Sequence, residues 1–488
     1  MPATTPPPST ATVPVYDAIL ALAFIGDLSM GRATDQSPRT GWLAAALARA
    51  AGGSAQDAMA AQLVSLLRWS GCTANAAGIG ELLGDDVAAR EQLMALTLPP
   101  LSEEVKAQMP EMAQIHCEVA GDIARMLALG SQVERSLRHV FEHYDGGGQP
   151  DHLRGEAVPD TVYVAALASD LEILSRAHGL ERALQMIAGR AGRIYPQALA
   201  DLATQHAADW LEQLRVLDAE GRLIEPDATL RGQEVALELI ADVIDLKLPW
   251  MAGYSRQTAS LAQALAARLG LDATKGQCIY RAGLIHGIGR AALPNALWNT
   301  AGPLASADWE RVRLVPYWTR RAAQHTPSLT AEAELASYVY ERLDGSGYFR
   351  SLDAAAIPTE RRVLAVAAAW TALCARRPWR EALSAETATE LLQAEATKGR
   401  LDPVIVDALL VEIGGQPSRQ AARAQSVLSD RETDVLRRIS LGESNKEVAR
   451  ALAISPSTVR THVESIFRKL ECSTRAAATL KAFTLGVL

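Results

Sequence analysis

The sequence of 488 residues predicts an almost entirely α-helical protein. Apolar residues recur at intervals of three and four along most of the chain, whereas the alternation typical of strands is hard to find. Alanine and leucine, which favour helices, are abundant, while phenylalanine and tyrosine are scarce. The length corresponds to about two to four domains at roughly 100–200 residues each.

The first fourteen residues, 1–14, are rich in proline, threonine and alanine and lack the basic region of a signal peptide. We predict a disordered tail here. The apolar run 18–25 is too short to span a bilayer. The five cysteines are scattered without a C-x-x-C pair, which indicates neither a zinc site nor a disulfide framework. We therefore expect no membrane association and a reducing, cytoplasmic location.

The body of the chain shows an internal repeat. Successive helices are predicted over 15–205, a connector over 206–231, and a second helical stretch over 232–414. Landmarks recur in the same order, because LLRWSGC matches LIHGIGR and FEHYDGGGQP matches YERLDGSGYF. We interpret this as a duplication of about 190 residues. The Gly-, Pro- and Gln-containing segment 415–426 is a predicted linker, which leaves 427–488 as a C-terminal domain.

The C-terminal domain contains a predicted DNA-recognition helix over Ser455–Leu470. Ser455 is a good N-cap, and Pro456 suits the first helical position. Val459, Val463 and Ile466 lie on one apolar stripe, and the opposite face is polar. A helix packed by one face and polar on the other fits the major groove.

The segment LSDRETDVLRRISLGESNKEVARALAISPSTVRTHVESIFRKLECSTRAAA closely resembles the LuxR-type helix-turn-helix of bacterial transcription regulators. Its motifs are S-x-R-E-x-x-V-L, G-x-S-N-K-E-V-A and I-S-x-x-T-V-R-x-H. The resemblance implies a four-helix module that binds double-stranded DNA as a homodimer, with a last helix at about 474–484 that often helps to pair subunits. A helical hairpin bundle with a solvated polar face is the alternative.

The expected DNA contacts fall into two groups. Arg460, Thr461 and Glu464 are expected to face base edges, since arginine pairs with guanine and glutamate accepts from cytosine. The expected phosphate contacts are Asn445, Lys446, Ser457, Thr458, His462, Arg468 and Lys469. The net charge is −8, but 427–488 carries about +3 and the remainder about −11, so phosphate contact should be confined to the basic end.

The two repeated stretches resemble the HD superfamily of metal-dependent phosphohydrolases, and most closely its HD-GYP branch. The resemblance is carried by LIHGIGR, WERVRLVPYWTRR and YERLDGSGYF in the second stretch and is weaker in the first. It implies tandem HD-like helical domains. In active members, histidines and aspartates at these sites hold a pair of metals that activate water to attack phosphate.

Most positions that the resemblance assigns to metal ligands carry other residues. The replacements in the second stretch are Tyr254, Gly287, Val315, Val339, Tyr340 and Ala368, and those in the first are Gln36, Arg68, Trp69, Val140 and Phe141. His286 and His116 remain. Because valine and alanine cannot ligate and zinc sites use three or four protein ligands, we predict no metal, no cofactor and no catalytic residue. We accordingly predict two degenerate HD-like domains and a chain that is not an enzyme.

The function predicted from these observations is a sequence-specific, dimeric transcription regulator whose body serves for dimerisation and ligand sensing. A ligand pocket is predicted from Tyr254, His286, Arg290, Tyr340, Glu341 and Asp344. The apolar replacements favour a non-phosphorylated effector, or no effector at all, over the cyclic dinucleotide that the family suggests. Two alternatives stay open: a residual HD-type phosphohydrolase fused to a DNA-binding output domain, and a scaffold that binds DNA constitutively.

Overall fold

The computed structural model describes residues 11–31, 35–220, 223, 230–324, 326–414 and 427–488. Their regular secondary structure is almost entirely helical, which confirms the predicted fold class. Within them, the only sheet is a two-stranded ribbon. None of the described helices is long and apolar enough to cross a lipid bilayer.

The ribbon lies partly within the predicted disordered tail, 1–14, so the predicted end of the tail is wrong. Strand β1 (Thr12–Pro14) pairs antiparallel with β2 (Glu234–Ala236), and Val13 lies fully buried opposite Val235. Burial of an apolar side chain favours order at this point, so the tail prediction over 1–14 extends too far towards the body. Residues 1–10 and the predicted linker 415–426 lie outside the described residues.

The first half of the body is a layered helical bundle. Its helices are α1 (Val15–Ser29), α2 (Gln36–Ala50), α3 (Ala55–Leu67), α4 (Ala76–Leu83), α5 (Asp86–Met94), α6 (Glu103–Met126), α7 (Ser131–Arg138), α8 (Asp160–His178), α9 (Leu180–Ala188) and α10 (Gln197–Ala219). Helix α10 runs through the predicted boundary between residues 205 and 206. Ala203, Ala207, Trp210 and Leu214 give it one buried stripe at helical spacing, which keeps the helix continuous.

The second half of the body is also a bundle of helices. Its helices are α11 (Glu238–Asp245), α12 (Tyr254–Arg268), α13 (Ala273–Ile285), α14 (Asn295–Asn299), α15 (Ser306–Arg313), α16 (Val315–Arg321), α17 (Thr330–Ala336), α18 (Thr359–Cys374), α19 (Ala385–Thr397) and α20 (Pro403–Gly414). A short 3₁₀ turn at Ile288–Ala292 follows α13.

Two hydrogen-bonded motifs occur once in each half. In the first motif, a buried aspartate accepts from the backbone N–H and the hydroxyl group of a serine ten residues later. In the second, a buried glutamate accepts from a backbone N–H nine residues later. The pairs are Asp27 with Ser37, Asp245 with Ser255, Glu142 with Asp151, and Glu341 with Arg350. The geometry therefore repeats in the same order as the sequence landmarks.

The two halves share one apolar core. Phe24 of α1 and Leu284 of α13 belong to the same continuous cluster of buried residues. A buried ion pair also crosses between the halves, because Lys247 Nζ donates to Asp86 Oδ2 at 2.7 Å and the backbone N–H of Asn295 donates to Asp86 Oδ1 at 2.7 Å. A buried charge without its partner is strongly destabilising, so this pair fixes how the halves fit together.

The C-terminal module has its own core and four helices. They are α21 (Asp430–Ser440), α22 (Asn445–Leu452), α23 (Pro456–Lys469) and α24 (Arg475–Thr484). Helix α23 agrees with the predicted recognition helix: the Ser455 side chain accepts from the backbone N–H of Thr458, and Val459 and Ile466 are fully buried.

The module packs on the body through α24 and the turn that precedes it. The carboxylate of Glu118 on α6 accepts from the backbone N–H of Ser473 at 2.6 Å and from its hydroxyl group at 2.9 Å. Lys481 Nζ lies 3.3 Å from Asp122 Oδ2, and Ala477 and Leu480 join the core of the body. The second half also contributes, since the guanidinium carbon of Arg256 lies 5.8 Å from the ring centroid of Phe483, so both halves of the body contact the last helix of the module.

Candidate nucleic-acid interface and central cluster of the second half

The predicted base-reading residues lie together on the outer face of α23. The side chains of Arg460 and Glu464 are 77% and 63% exposed, and Thr461 is also exposed. Arg460 Nε donates to Glu464 Oε1 at 3.0 Å. An exposed ion pair contributes little free energy, so DNA can exchange it for contacts with base edges at little cost.

The predicted phosphate contacts lie at or near the surface, and two of them also bind side chains of other helices in the module. Lys446, Ser457, Thr458, Arg468 and Lys469 are exposed, and Asn445 and His462 are half-buried. Asn445 Oδ1 accepts from Arg475 Nη2 at 2.7 Å, and Lys469 Nζ donates to Glu432 Oε2 at 2.7 Å. Asn445 and Lys469 therefore also hold the module together.

Glu432 connects two helices of the module, and the sequence predicted only one of its contacts. It caps α21 as the capping box predicts, but it also accepts from Ser465 at 2.7 Å and from Lys469 on α23. Although partial burial disfavours its charge, the hydrogen bonds from Lys469, Ser429 and Ser465 hold the pKa of Glu432 at about 2. The capping box is a local signal, whereas the cross-helix partners have no sequence signature.

Four of the six predicted pocket residues converge in the second half of the body. Arg290 is 3% exposed, and its Nη2 lies 2.8 Å from His286 Nε2 and 3.2 Å from the hydroxyl oxygen of Tyr340. The Arg290 guanidinium carbon lies 4.9 Å from the ring centroid of Tyr254, which favours the cation through the ring face. These residues form the central cluster: Tyr254, His286, Arg290 and Tyr340.

His286 is neutral and uses both ring nitrogens. Its Nδ1 lies 2.6 Å from the carbonyl oxygen of Gly283, which fixes the proton on this nitrogen. Its Nε2 then accepts from Arg290. Burial, reinforced by the charge of Arg290, lowers the pKa of His286 to about 3. The lone pair that a metal would use is engaged by a guanidinium group.

The other two predicted pocket residues have partners elsewhere. Both carboxylate oxygens of Glu341 accept backbone N–H groups, from Arg350 at 2.8 Å and Leu352 at 3.2 Å. Asp344 accepts from Ser346 and pairs with Arg400 at 3.3 Å. The two carboxylates therefore organise the loop after Glu341.

The residues present do not fit the metal pair that the HD resemblance implies. Across the described residues, no group of three or more histidine, cysteine, aspartate or glutamate side chains is placed to hold a metal ion. Gly287, where the resemblance implies an aspartate, leaves room for Arg290: a Cβ atom there would lie 2.8 Å from Arg290 Nη1. The hydroxyl group of Tyr254 donates to the carbonyl oxygen of Ala368 at 3.1 Å.

The first half contains a related arrangement. The guanidinium carbon of Arg68 lies 5.0 Å from the ring centroid of Trp69, and the rings of His116 and Phe141 are 4.7 Å apart. His116 Nε2 donates to the carbonyl oxygen of Arg68 at 2.8 Å. Burial lowers the pKa of His116 to about 3 and that of Arg68 to about 10. Sequence reasoning noted Arg68 as a replacement but not that each half would bury an arginine beside its remaining histidine.

Comparisons with known families agree with these two parts of the chain. The HD domain family matches residues 238–405, and the family of bacterial regulatory proteins, luxR family, matches residues 426–482. The chain is 39% identical over 108 residues to the probable transcriptional regulatory protein NarL of Mycobacterium tuberculosis, which covers 22% of this chain and 49% of that protein.

The body is similar to a phosphodiesterase. The chain is 25% identical over 434 residues to 3'3'-cGAMP-specific phosphodiesterase 3 of Vibrio cholerae, which covers 82% of this chain and 94% of that protein. A crystal structure of a cyclic GMP-AMP specific phosphodiesterase of V. cholerae covers 84% of this chain and 100% of its own, with a TM-score of 0.60 and 21% identity. The second comparison shows a shared fold.

These similarities correct the prediction that the chain is not an enzyme. That prediction relied on replaced ligand positions, whereas the relative that aligns along most of the chain is a phosphodiesterase. The replaced positions describe the chemistry of the central cluster and not the activity of the body.

Proposed function

We propose that this protein, which carries an HD domain and a C-terminal domain of the luxR family, is a sequence-specific transcription regulator that acts as a homodimer under the control of its body. The observation that carries the proposal is the outer face of α23. Arg460, Thr461 and Glu464 are exposed there together, while Val459 and Ile466 anchor the opposite face in the core of the module. This arrangement can place three side chains against base edges.

The body is proposed to control the module through its packing on α24. LuxR-type modules often pair through their last helix, but here Ala477 and Leu480 are buried against the body. Pairing through this face requires the module to leave the body. Any ligand or partner that changes the body near α6 would therefore change the proportion of modules able to pair on DNA.

The test is selection of bound sequences from a random duplex library by the full chain, followed by sedimentation of the protein with the enriched site. We expect one enriched motif with two related half-sites and two chains per duplex. Arg460→Ala should weaken the enrichment, whereas Arg437→Ala, an exposed arginine on α21 outside this face, should retain it. Absence of any enriched motif would overturn the proposal.

A second candidate function is phosphodiester hydrolysis by the body. It is supported by the similarity along most of the chain to a 3'3'-cGAMP-specific phosphodiesterase. In the central cluster, Arg290 Nη1 has no hydrogen-bond partner among the described residues, but it is buried and lies 3.8 Å from Asp245 Oδ1, so a phosphate oxygen would reach it only after the cluster opens.

The test is incubation of purified full chain with 3'3'-cGAMP in the presence of Mn²⁺, with separation of linear products by chromatography. Turnover that is lost in His286→Ala and retained in His206→Ala, a substitution in α10, would support hydrolysis. Product formation at the rate of the buffer control would reject it. DNA selection with the same preparations reports on the first proposal independently.

A further inference from the structure

A cavity of about 470 Å³ lies where the C-terminal module meets the body. The body contributes α6, the turn before α4 and the segment after α11 to its wall, and the module contributes α21, α23 and α24. The volume falls in the range of small-molecule sites, which is roughly 300–1,000 Å³. Because Val463 and Phe467 of α23 belong to this wall, a molecule bound here would touch the inner face of the recognition helix.

Direct contacts between the body and the module border the cavity at two places. Gln114 Nε2 on α6 donates to Ser473 Oγ at 3.3 Å. A Cβ atom added to Gly442 would lie 3.1 Å from Pro249 Cβ, so the two chain segments approach closely there. Since these residues also line the cavity, the cavity has this shape only while the module is docked on the body.

The wall of the cavity is mostly apolar. Its larger apolar side chains are Ile115 and Leu246 from the body and Ile439, Val463 and Phe467 from the module. Hydroxyl groups in the wall already have hydrogen-bond partners in the protein, namely those of Ser473, Thr474 and Thr479. The wall therefore favours a ligand that is largely apolar.

Arg475 places a positive charge in this wall. Its Nη1 donates to the carbonyl oxygen of Glu443 at 2.7 Å and its Nη2 to Asn445 Oδ1 at 2.7 Å, and both acceptors are neutral. Burial of the half-buried side chain lowers the pKa of Arg475, and no carboxylate among the described residues offsets this effect. A guanidinium group has five N–H donors, so Arg475 keeps donors and an uncompensated charge for an anion.

The carboxylates near the cavity do not cancel this charge. Glu111 lines the cavity, but it is exposed to water, and no ion pair joins it to Arg475. Glu118, which binds the backbone N–H and the hydroxyl group of Ser473, is not part of the wall. One guanidinium group in an apolar wall favours a singly charged carboxylate over a doubly charged phosphate, because the cost of removing an ion from water rises with its charge.

We propose that this cavity binds a small apolar carboxylic acid, whose carboxylate pairs with Arg475 and whose hydrocarbon part packs against the apolar wall. Such a molecule contacts the body and the module together, so it stabilises the docked arrangement. Its effect on DNA binding rests on the proposed function, because a docked module keeps α24 buried against the body. Binding of the acid does not rest on that function.

The experiment is calorimetric titration of the full chain with 4-phenylbutyrate, with 4-phenylbutyramide as the uncharged counterpart of similar shape. We expect one site per chain, and the acid should bind about tenfold more tightly than the amide, since a charge-assisted hydrogen bond is lost in the amide. In Arg475→Gln, the acid should bind only as well as the amide, while the affinity for the amide is retained. Arg437→Gln, an exposed substitution in the same module, should keep the preference for the acid.

A second variant tests the location of the site without touching the hydrogen bonds of Arg475. Ala252→Leu places a larger side chain in the wall and should weaken the binding of both compounds. Hydrogen exchange of the backbone amides in 475–484 should become slower when the acid is bound to the wild type. Unchanged binding in Ala252→Leu, or unchanged exchange with the acid bound, would place the acid elsewhere and overturn the proposal.

Three results of the titration would also overturn the proposal. These are no binding of the acid, equal affinity of the wild type for acid and amide, and an equal loss of both compounds in Arg475→Gln, which would mean that Arg475 only shapes the cavity. The regulator role is tested separately by adding the acid during DNA selection. If the acid binds as expected but the chain selects no DNA sequence, the site stands and the proposed regulator role fails.

Discussion

Lys481 Nζ lies 3.3 Å from Asp122 Oδ2, so an ion pair between two largely buried side chains joins the last helix of the DNA-binding module to α6 of the body. Lys481→Met removes a cation that faces the Asp122 carboxylate, which also pairs with Arg138 at 2.6 Å, so it should weaken this packing by up to about 1 kcal/mol. Hydrogen exchange of the backbone amides in 475–484 should then become faster.

Two further variants distinguish the loss of the Lys481–Asp122 ion pair from a general loss of stability. Asp122→Asn removes the same contact from the side of the body and should also speed exchange in α24. Lys398→Met removes an exposed pair with Glu395 and should leave α24 unchanged. Unaltered exchange in both Lys481→Met and Asp122→Asn would show that the apolar contacts alone hold the module.

Arg460 is expected to read a base. Arg460→Ala should cost about 1–3 kcal/mol on the preferred DNA site and relax specificity at one position of each half-site. Fluorescence anisotropy with the preferred duplex and single-base variants measures both effects. An equal loss on every duplex, with a shallower salt dependence, would instead identify Arg460 as a phosphate contact.

Glu432 is expected to govern the stability of the module. Glu432→Gln removes the charge that Lys469 and Ser465 recognise, so the module should unfold at lower temperature. Because its pKa is held near 2 in the folded state, below the ordinary 4.5, the stabilisation is present above about pH 4.5 and is lost as pH falls towards 2. Asp434→Asn, a substitution of a half-exposed residue on the same helix, should leave the melting temperature unchanged. Equal melting temperatures of Glu432→Gln and the wild type at pH 7 would contradict the role assigned to Glu432.

Two buried aspartates, Asp27 and Asp245, should make the body less stable as pH rises, which is opposite to the effect of Glu432 on the module. Burial raises the pKa of Asp245 to about 7 and that of Asp27 to about 8. Between about pH 4 and 7, Asp245 is protonated in the folded state and ionised when unfolded, so stability falls as pH rises, by up to about 1.4 kcal/mol per pH unit for each such group. Asp245→Asn should reduce this slope in melting curves from pH 5 to 7.5, and Asp308→Asn should not. A slope that Asp245→Asn leaves intact would assign the dependence to other groups.

The sequence predicted the recognition helix well because its signals are local. Ser455, Pro456 and the spacing of Val459 and Ile466 all act within a few turns of helix, so they determine the start and the buried face without knowledge of the rest of the chain. The strand at Thr12–Pro14 escaped prediction for the opposite reason, since its partner lies more than two hundred residues away at Glu234–Ala236.

The candidate sites were predicted only in part. The resemblance to HD proteins identified which ligands were replaced, but not that Arg290 would donate to the free nitrogen of His286. The contact of Glu118 with Ser473 joins residues 355 positions apart and leaves no pattern in the sequence. Gln36 was noted as the replacement of a histidine, while its unpartnered amide became evident only from the surrounding structure.

The shared core of the two body halves limits how this architecture can be divided. Helix α1 is buried along nearly its whole length among residues of both halves, so either half expressed alone would expose an apolar face that normally contacts the other. The C-terminal module has its own core, and of its described residues only Ala477 and Leu480 of α24 are buried in the core of the body. Recombination could therefore exchange the DNA-reading module as a unit, whereas the two duplicated halves have to be inherited together.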